Sequence, residues 1–192
     1  MPNTIERIER TVVIIKPDGG ERGFIGAIIT RIEEQKGLKI IAMEMVSPSE
    51  DTIKGHLSTN PEWLRTVGEK TIKYCQDREV MPQDLYGTIN PEEIGRKIRE
   101  WNISYLLRGR VVKILVEGRG AIEKVRNLVG ATFPVDALPG TIRRDFSLTP
   151  PNSPITAGEQ KRACENLVHA SGSQEELLRD LIIWFHSPVA PL

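Results

Sequence analysis

A histidine that ends an apolar stretch and precedes small residues is the feature of this sequence best suited to nucleophilic chemistry. Residues 165–173 read Glu-Asn-Leu-Val-His-Ala-Ser-Gly-Ser, and a helical pattern begins directly afterwards. Neutral imidazole is nucleophilic near physiological pH, and a phosphoryl group on its nitrogen keeps a high transfer potential. His169 is therefore the candidate nucleophile, whereas His56 and His186 lack such neighbours and are predicted to be surface residues.

Phosphoryl transfer requires fixed positive charge, because negative charge develops on the equatorial oxygens of the migrating group. Three basic residues stand at element edges or in loops, where they can supply it. Lys16 follows the apolar run 11–15, Arg126 lies on a helix ahead of a glycine, and Arg143 lies in a loop that contains proline and glycine. We expect these three side chains to flank His169.

Four motifs, in chain order, resemble those of the nucleoside diphosphate kinase family. They are Lys16-Pro17-Asp18-Gly19 with Arg22-Gly23, Arg126 six residues before Thr132, the run Pro139-Gly140-Thr141-Ile142-Arg143 with Asp145-Phe146, and Asn166 three residues before His169. Asp180, eleven residues after the histidine, matches the family's acidic residue ahead of Trp-Phe, here Trp184-Phe185. The resemblance covers most of the chain.

The resemblance implies a role for each matched residue. Asp180 would accept a hydrogen bond from the far nitrogen of the His169 ring. The family usually has the longer glutamate there, so we expect a closer approach or a bridging water. Ser171 would support the histidine and is also suited to cap the following helix. The side chains that would bind phosphates and ribose hydroxyls are Lys16, Arg126, Thr132, Arg143 and Asn166.

The sequence departs from the family pattern around the site. Gly172 replaces a common aspartate, which removes a negative charge beside the histidine and leaves open any part of that position in organising a metal. Leu57 replaces the usual tyrosine after His56, and the aromatic that stacks on the base is not assigned. Stacking would give broad base tolerance, since every base offers a π-face. The candidate aromatics are Trp63, Tyr74, Tyr86 and Trp101.

The activity that the resemblance implies is that of a nucleoside diphosphate kinase, in which His169 carries the γ-phosphoryl group from a triphosphate to a diphosphate. Mg²⁺ is expected to arrive with the nucleotide, because the sequence shows no dedicated cluster of metal ligands. The Gly-rich segment after Lys16 does not match a P-loop. The alternative within the family is a non-catalytic nucleotide-binding scaffold or regulatory member.

A second alternative is a ferredoxin-like module that binds nucleic acid. Basic and acidic residues number 26 each, so the chain has no overall positive field. Exposed aromatic strand motifs of the RRM kind are also missing from the sequence. Both observations argue against nucleic acid as a partner.

The hydrophobic pattern predicts an α+β fold. Strands are predicted at 11–15, 38–46, 111–116 and 166–169, and helices at 23–36, 120–129 and 174–185. This order indicates a ferredoxin-like, antiparallel four-stranded sheet covered by helices. A helical insertion is predicted at about 59–101, with Asn90 as a helix cap, and a long irregular loop at about 131–162.

Length and composition favour a single cytoplasmic domain over residues 1–192. Cys75 and Cys164 lie far apart and are expected to be free thiols. No apolar stretch approaches the roughly 20 residues of a membrane span, and residues 1–7 lack the order of a signal peptide. The resemblance implies a homo-oligomer, a hexamer or a tetramer, with nucleoside di- and triphosphates as ligands and neither nucleic acid nor membrane as a partner.

Overall fold

Four strands form the centre of the structure, for which the computed structural model describes residues 8–186. The strands β1 (Ile8–Ile15), β2 (Leu38–Val46), β3 (Val111–Arg119) and β4 (Val168–Ala170) make one antiparallel sheet in the order β2-β3-β1-β4. The β-branched run in β1 is buried on both faces, as its position inside the sheet requires. The predicted antiparallel α+β fold is confirmed.

Helices cover both faces of the sheet. The helices are α1 (Pro17–Glu21), α2 (Ile25–Glu33), α3 (Glu50–His56), α4 (Pro61–Gln76), α5 (Pro82–Tyr86), α6 (Pro91–Leu107), α7 (Ala121–Val129), α8 (Ile142–Asp145), α9 (Pro154–Glu159) and α10 (Gln174–Phe185), with a 3-10 turn at Pro134–Asp136. One face of the sheet packs against α2 and α7, through residues such as Ile28 and Val125. The opposite face packs against α3, α10 and the end of α6, through Ile53, Leu181 and Leu106.

Local structure differs from the sequence prediction at several points. The sequence analysis assigned no helix directly after β1, but Pro17 opens the short helix α1 there, because proline suits the first helical position. β4 begins at Val168 and not at 166, because Leu167 has a left-handed backbone with φ 68°. The segment 131–162 contains the 3-10 turn, α8 and α9, the last of which Ser153 caps.

Residues 59–101, for which a helical insertion was predicted, contain α4, α5 and most of α6. Two glycines let α4 and α6 approach closely, since an added Cβ on Gly68 or Gly95 would overlap the facing carbonyl of Pro91 or Leu64 at 1.8 or 2.1 Å. Asn90 caps α6, as predicted. No helix within residues 8–186 is long and apolar enough to cross a membrane. Residues 1–7, to which the signal-peptide prediction refers, lie outside the described residues.

Candidate active site

His169 lies in the short edge strand β4, opposite Ile14 of β1. Val168 and Ala170 point into the core beneath α2 and α7. Because side chains alternate along a strand, His169 points to the other face, which α3 and α10 cover. Its side chain is 16% exposed and lines a cleft of about 340 Å³.

Helix α10 holds an acidic side chain beneath this histidine. The Ser173 side chain caps the helix by accepting a hydrogen bond from the backbone of its first turn. Leu177, Leu181 and Trp184 form the buried face of α10. Asp180 lies on that same face and is fully buried. The amphipathic pattern of the helix therefore fixes where the carboxylate points.

The Asp180 carboxylate contacts His169 directly. Its Oδ2 atom lies 2.8 Å from Nε2 of His169, and Ser171 donates to the same oxygen at 2.8 Å. The shorter aspartate thus reaches the ring by close approach, without a bridging water. Ser171 contacts the carboxylate, while the helix cap is Ser173.

The charge state of Asp180 decides whether the proton between the carboxylate and the His169 ring belongs to the ring. Burial acts to raise the pKa of Asp180, but hydrogen bonds from His169 and His56 outweigh it and hold the pKa below its usual range. The carboxylate is therefore ionised and accepts the Nε2 proton of His169. Within residues 8–186, the hydrogen bond of the His169 ring is made by Nε2 and none is made by Nδ1. Nδ1 consequently carries the lone pair.

His56 was predicted to lie on the surface, and this prediction is wrong, because His56 is only 8% exposed. Its Nδ1 lies 3.1 Å from Oδ1 of Asp180 and 3.2 Å from Nε1 of Trp184. One nitrogen cannot donate to the first and accept from the second, and the ionised carboxylate is the stronger acceptor, so Nδ1 donates to Asp180. Burial, and then the neighbouring His169, lower the pKa of His56 to about 4, so the ring is neutral.

Lys16 and Asn166 meet in the same cleft. Lys16 directly follows β1, and its Nζ donates to Oδ1 of Asn166 at 2.7 Å. The amide nitrogen of Asn166 donates in turn to the backbone carbonyl of Thr132 at 2.9 Å. Burial and the charge of Arg143 lower the pKa of Lys16 to about 8. Thr132 contacts Asn166 through its backbone carbonyl, while its side chain is exposed.

The two predicted arginines also line the cleft. Arg143 is 4% exposed and donates to the carbonyls of Gly130 and Val168 at 3.0 and 2.8 Å. Its Nε is buried and has no hydrogen-bond partner in the described part of the chain. Arg126 donates to the Ala170 carbonyl at 3.4 Å. Burial, and then the charge of Arg126, lower the pKa of Arg143 to about 9. An anion bound in the cleft would raise this pKa again, because it favours the charged form of the guanidinium.

Glu176 is a cleft residue that the sequence analysis missed. Its Oε2 accepts a hydrogen bond from the Gly172 backbone at 2.7 Å, and its Oε1 lies 3.9 Å from Nε2 of His169. An added Cβ on Gly172 would lie 3.1 Å from that Oε2. The position that lacks the family's aspartate is thus filled by a carboxylate from the first turns of α10.

Another part of the cleft is aromatic. Trp63, Tyr86 and Trp101 from the helical segment 59–101 line it together with Phe133. Tyr74, the remaining candidate for base stacking, packs against Phe133 with ring centroids 5.5 Å apart and is not among the lining residues. Flat apolar faces of this kind suit an aromatic ligand.

Comparisons with known proteins agree with this geometry. The family model "Nucleoside diphosphate kinase" matches residues 9–88 and 81–189. The nucleoside diphosphate kinase of Pyrobaculum aerophilum is 42% identical over 178 residues, which cover 93% of this chain and 95% of the relative. A crystal structure of an NDP kinase from Pyrobaculum aerophilum matches with a TM-score of 0.85 at 40% identity, over 93% of this chain and 96% of that one.

A more distant structure supports the same assignment. The nucleoside diphosphate kinase of Borrelia burgdorferi, described as a transition state mimic with bound vanadate and ADP, matches with a TM-score of 0.70 at 30% identity. The match covers 93% of this chain and 87% of that one. The chain therefore belongs to the nucleoside diphosphate kinase family of enzymes.

Proposed function

We propose that this enzyme passes the γ-phosphoryl group of a nucleoside triphosphate to a nucleoside diphosphate through a covalent phosphohistidine at Nδ1 of His169. The observation that supports this most directly is the 2.8 Å contact between Nε2 of His169 and the Asp180 carboxylate. With the proton on Nε2, the lone pair lies on Nδ1, where nucleophilic attack needs it.

The reaction consists of two matched displacements at phosphorus. In the first, Nδ1 attacks the γ-phosphorus, the N–P bond forms, and the bond to the bridging oxygen breaks so that the nucleoside diphosphate leaves with that oxygen. In the second, a terminal oxygen of another nucleoside diphosphate attacks the phosphohistidine and the N–P bond breaks. Asp180 stabilises the positive charge that the ring acquires while it carries the phosphoryl group.

The basic residues of the cleft are suited to stabilise charge on the migrating group. Lys16, Arg126 and Arg143 line the cleft with His169, and none of the three forms an ion pair with a described residue. The unpaired Nε of buried Arg143 offers a further donor. Such fixed cations stabilise a phosphoryl transition state strongly. The vanadate and ADP bound by the Borrelia burgdorferi relative are consistent with a phosphate site of this kind.

Mg²⁺ is proposed to enter with the nucleotide. Glu176 is the carboxylate among the described residues that line the cleft, and Mg²⁺ prefers oxygen ligands, so most of its ligands would be phosphate oxygens and water. When bound, the ion neutralises charge on the phosphate oxygens. One donor atom each of His56, His169 and Asp180 lies within 4.8 Å of the others. That set is rich in nitrogen and already hydrogen-bonded, which does not suit Mg²⁺.

The nucleobase is proposed to bind in the aromatic part of the cleft, between Trp63 and Phe133. Tyr86 and Trp101 line the same cleft and already contact each other, with ring centroids 5.7 Å apart. Stacking without base-edge contacts gives the broad base tolerance expected from the sequence.

A homo-oligomer is proposed from the edge of the sheet. β2 is an edge strand, and its side chains Ile41, Met43 and Met45 are 42%, 52% and 48% exposed. Exposed apolar edge strands pair readily with another chain, and a second copy of this chain is the proposed partner. Cys75 and Cys164 are both free, which supports a reducing compartment, the cytoplasm.

Labelling tests the proposed intermediate. The enzyme is incubated with γ-labelled ATP, and we expect label on the protein that is labile in acid and stable in base, together with ping-pong kinetics. His169→Gln should take up no label and lose transfer while remaining folded. Transfer at the wild-type rate by that variant would remove the proposal, and a wild-type protein that binds nucleotide without label would point to the non-catalytic scaffold.

A further inference from the structure

Helix α6 continues past the predicted insertion and brings Tyr105 to the edge of the candidate site. Tyr105 is 4% exposed, and its hydroxyl donates a short hydrogen bond to Oδ1 of Asp18. Burial and the charge of Asp18 raise the pKa of this phenol well above its usual value, so the hydroxyl stays protonated and donates. Nζ of Lys16 lies 5.5 Å from the centre of the Tyr105 ring. The proposed reaction uses neither Tyr105 nor Asp18.

Asp18 uses both carboxylate oxygens, although it is only 2% exposed. Oδ1 also accepts from the Gly19 backbone at 3.0 Å, and Oδ2 accepts from the Leu167 backbone at 3.1 Å. Burying a carboxylate costs folding free energy unless hydrogen-bond donors surround it. We therefore expect this arrangement to contribute to function as well as to packing. It joins α1, α6 and the residue that precedes β4.

Leu167 is the residue whose conformation needs this support. Its φ of 68° lies in the left-handed region, which is unfavourable for a bulky residue. Its N–H donates to Asp18, and its carbonyl accepts from the Lys16 backbone at 2.7 Å. Asn166 precedes it and His169 follows two residues later. Holding Leu167 therefore fixes the spacing between the phosphate-binding amide and the nucleophilic ring.

We propose that Tyr105 and Asp18 are positioning residues for phosphoryl transfer, which hold Leu167 in its left-handed conformation and thereby set Lys16 and Asn166 against His169. The inference rests on the proposed function of His169. Neither residue touches the phosphoryl group. Misplacement by about 1 Å lowers such rates by up to about 100-fold, so a device that fixes this backbone has a measurable effect on turnover.

The charge of Asp18 supplies a second, distinguishable effect. Burial and Arg143 lower the pKa of Lys16 to about 8, and Asp18 opposes them. Removing this charge lowers the pKa further, so Lys16 loses its proton at a lower pH. Tyr105 carries no charge and acts on Lys16 only through Asp18, whose charged form its hydrogen bond favours, so losing the hydroxyl has the smaller effect. The titratable or charged groups that face Lys16 are Asp18 on α1, His56 on α3, Tyr105 on α6, Arg143 on α8 and Cys164 ahead of β4.

The test compares Tyr105→Phe and Asp18→Asn with Tyr74→Phe. Tyr74 is buried to a similar degree, 6% exposed, but Asp18 is bonded by Tyr105 and not by Tyr74. Tyr74→Phe keeps the ring that packs on Phe133, so this variant controls for loss of a buried hydroxyl. The measurements are kcat/KM for nucleotide exchange across pH, thermal unfolding, and hydrogen exchange of the Leu167 amide. If one variant proves too unstable to purify, the other is judged by the same three measurements.

We expect kcat/KM to fall about 10-fold or more in Tyr105→Phe and Asp18→Asn, and exchange of the Leu167 amide to become faster. The alkaline limb of the kcat/KM profile, which reports the free enzyme, should move to lower pH furthest in Asp18→Asn, less in Tyr105→Phe and not in Tyr74→Phe. Values of kcat/KM within about 2-fold of Tyr74→Phe, or equal limbs in all variants, would overturn the inference. Activity of Tyr74→Phe shows that the proposed function stands whatever the outcome.

Discussion

Nε2 of His169 lies 2.8 Å from Oδ2 of Asp180, and this contact decides which ring nitrogen carries the proton. The other oxygen of the carboxylate is 3.1 Å from Nδ1 of His56. The Asp180 carboxylate thus accepts a hydrogen bond from each histidine, and Ser171 is a third donor. These three donors fix the orientation of the Asp180 carboxylate, although aspartate is shorter than the glutamate usual at this position in the family.

The first prediction concerns Asp180→Ala. Without the acceptor, the His169 ring can rotate and exchange its tautomer, so kcat should fall by about 10- to 100-fold. KM for nucleotide should change little, because the carboxylate lies behind the ring. Steady-state kinetics with saturating donor measure both values. Ser171→Ala, which removes one neutral donor and leaves the carboxylate, should have the smaller effect on kcat, and the reverse order would contradict this reading.

The second prediction distinguishes the contribution of the His56 hydrogen bond to catalysis from the contribution of its packing. His56→Leu removes the donor to Asp180, and His56→Asn keeps an N–H near the position of Nδ1. We expect kcat to fall about 10-fold in His56→Leu, because second-sphere partners of this type contribute that much, and to recover substantially in His56→Asn. Equal kcat in the two variants would show that His56 acts by packing alone.

The third prediction concerns stability in acid. The pKa of His56 is lowered from 6.5 to about 4 in the folded protein, so between these values the unfolded chain binds more protons and folding becomes weaker as pH falls. The loss amounts to about 3 kcal/mol at most. Asp180 has a lowered pKa as well, and its contribution is lost only below its usual pKa of 3.8, outside this window.

Urea unfolding at a series of pH values measures this effect. The free energy of unfolding of the wild type should decline from about pH 6.5 toward pH 4. His56→Leu should show a shallower decline over the same range, whatever its absolute stability. Parallel curves for the two proteins would assign the acid sensitivity to other groups.

Much of the fold could be predicted because its signals are local. The β-branched run of β1, the apolar periodicity of α10 and the proline and glycine boundaries are properties of short segments. The motif around His169 likewise lies within one stretch of chain. These local signals also placed Lys16 at the end of its strand.

The rest of the site could not be predicted because it depends on distant contacts. His56 meets Asp180 across 124 positions, and Tyr105 meets Asp18 across 87. Nothing in the neighbours of either residue distinguishes it from a surface histidine or a packed tyrosine. Glu176 was missed for a related reason, since its link to Gly172 appears only once α10 is placed beside β4. The spacing of four residues was the one available signal.

The fourth prediction concerns Arg143→Lys. Lysine keeps the positive charge but cannot bond both the Gly130 and the Val168 carbonyl in the same geometry. We expect kcat/KM to fall by about 100-fold, as for loss of a fixed donor to the transition state, and the melting temperature to fall too. Lys16→Ala should match the kinetic loss with a smaller thermal effect, because its Nζ bonds a side chain and no backbone carbonyl.

The fifth prediction tests the edge of the sheet as the interface between copies. Met43 and Met45 lie two positions apart on β2 and are 52% and 48% exposed, so both point to one side of the edge strand. Replacing both with lysine places charge on that surface, which disfavours edge pairing. Light scattering should then report a smaller particle than for the wild type. Ile182→Lys is the matched control, because Ile182 is 58% exposed on α10 and not on β2. A particle reduced by Ile182→Lys and unchanged by the double variant would move the interface to α10.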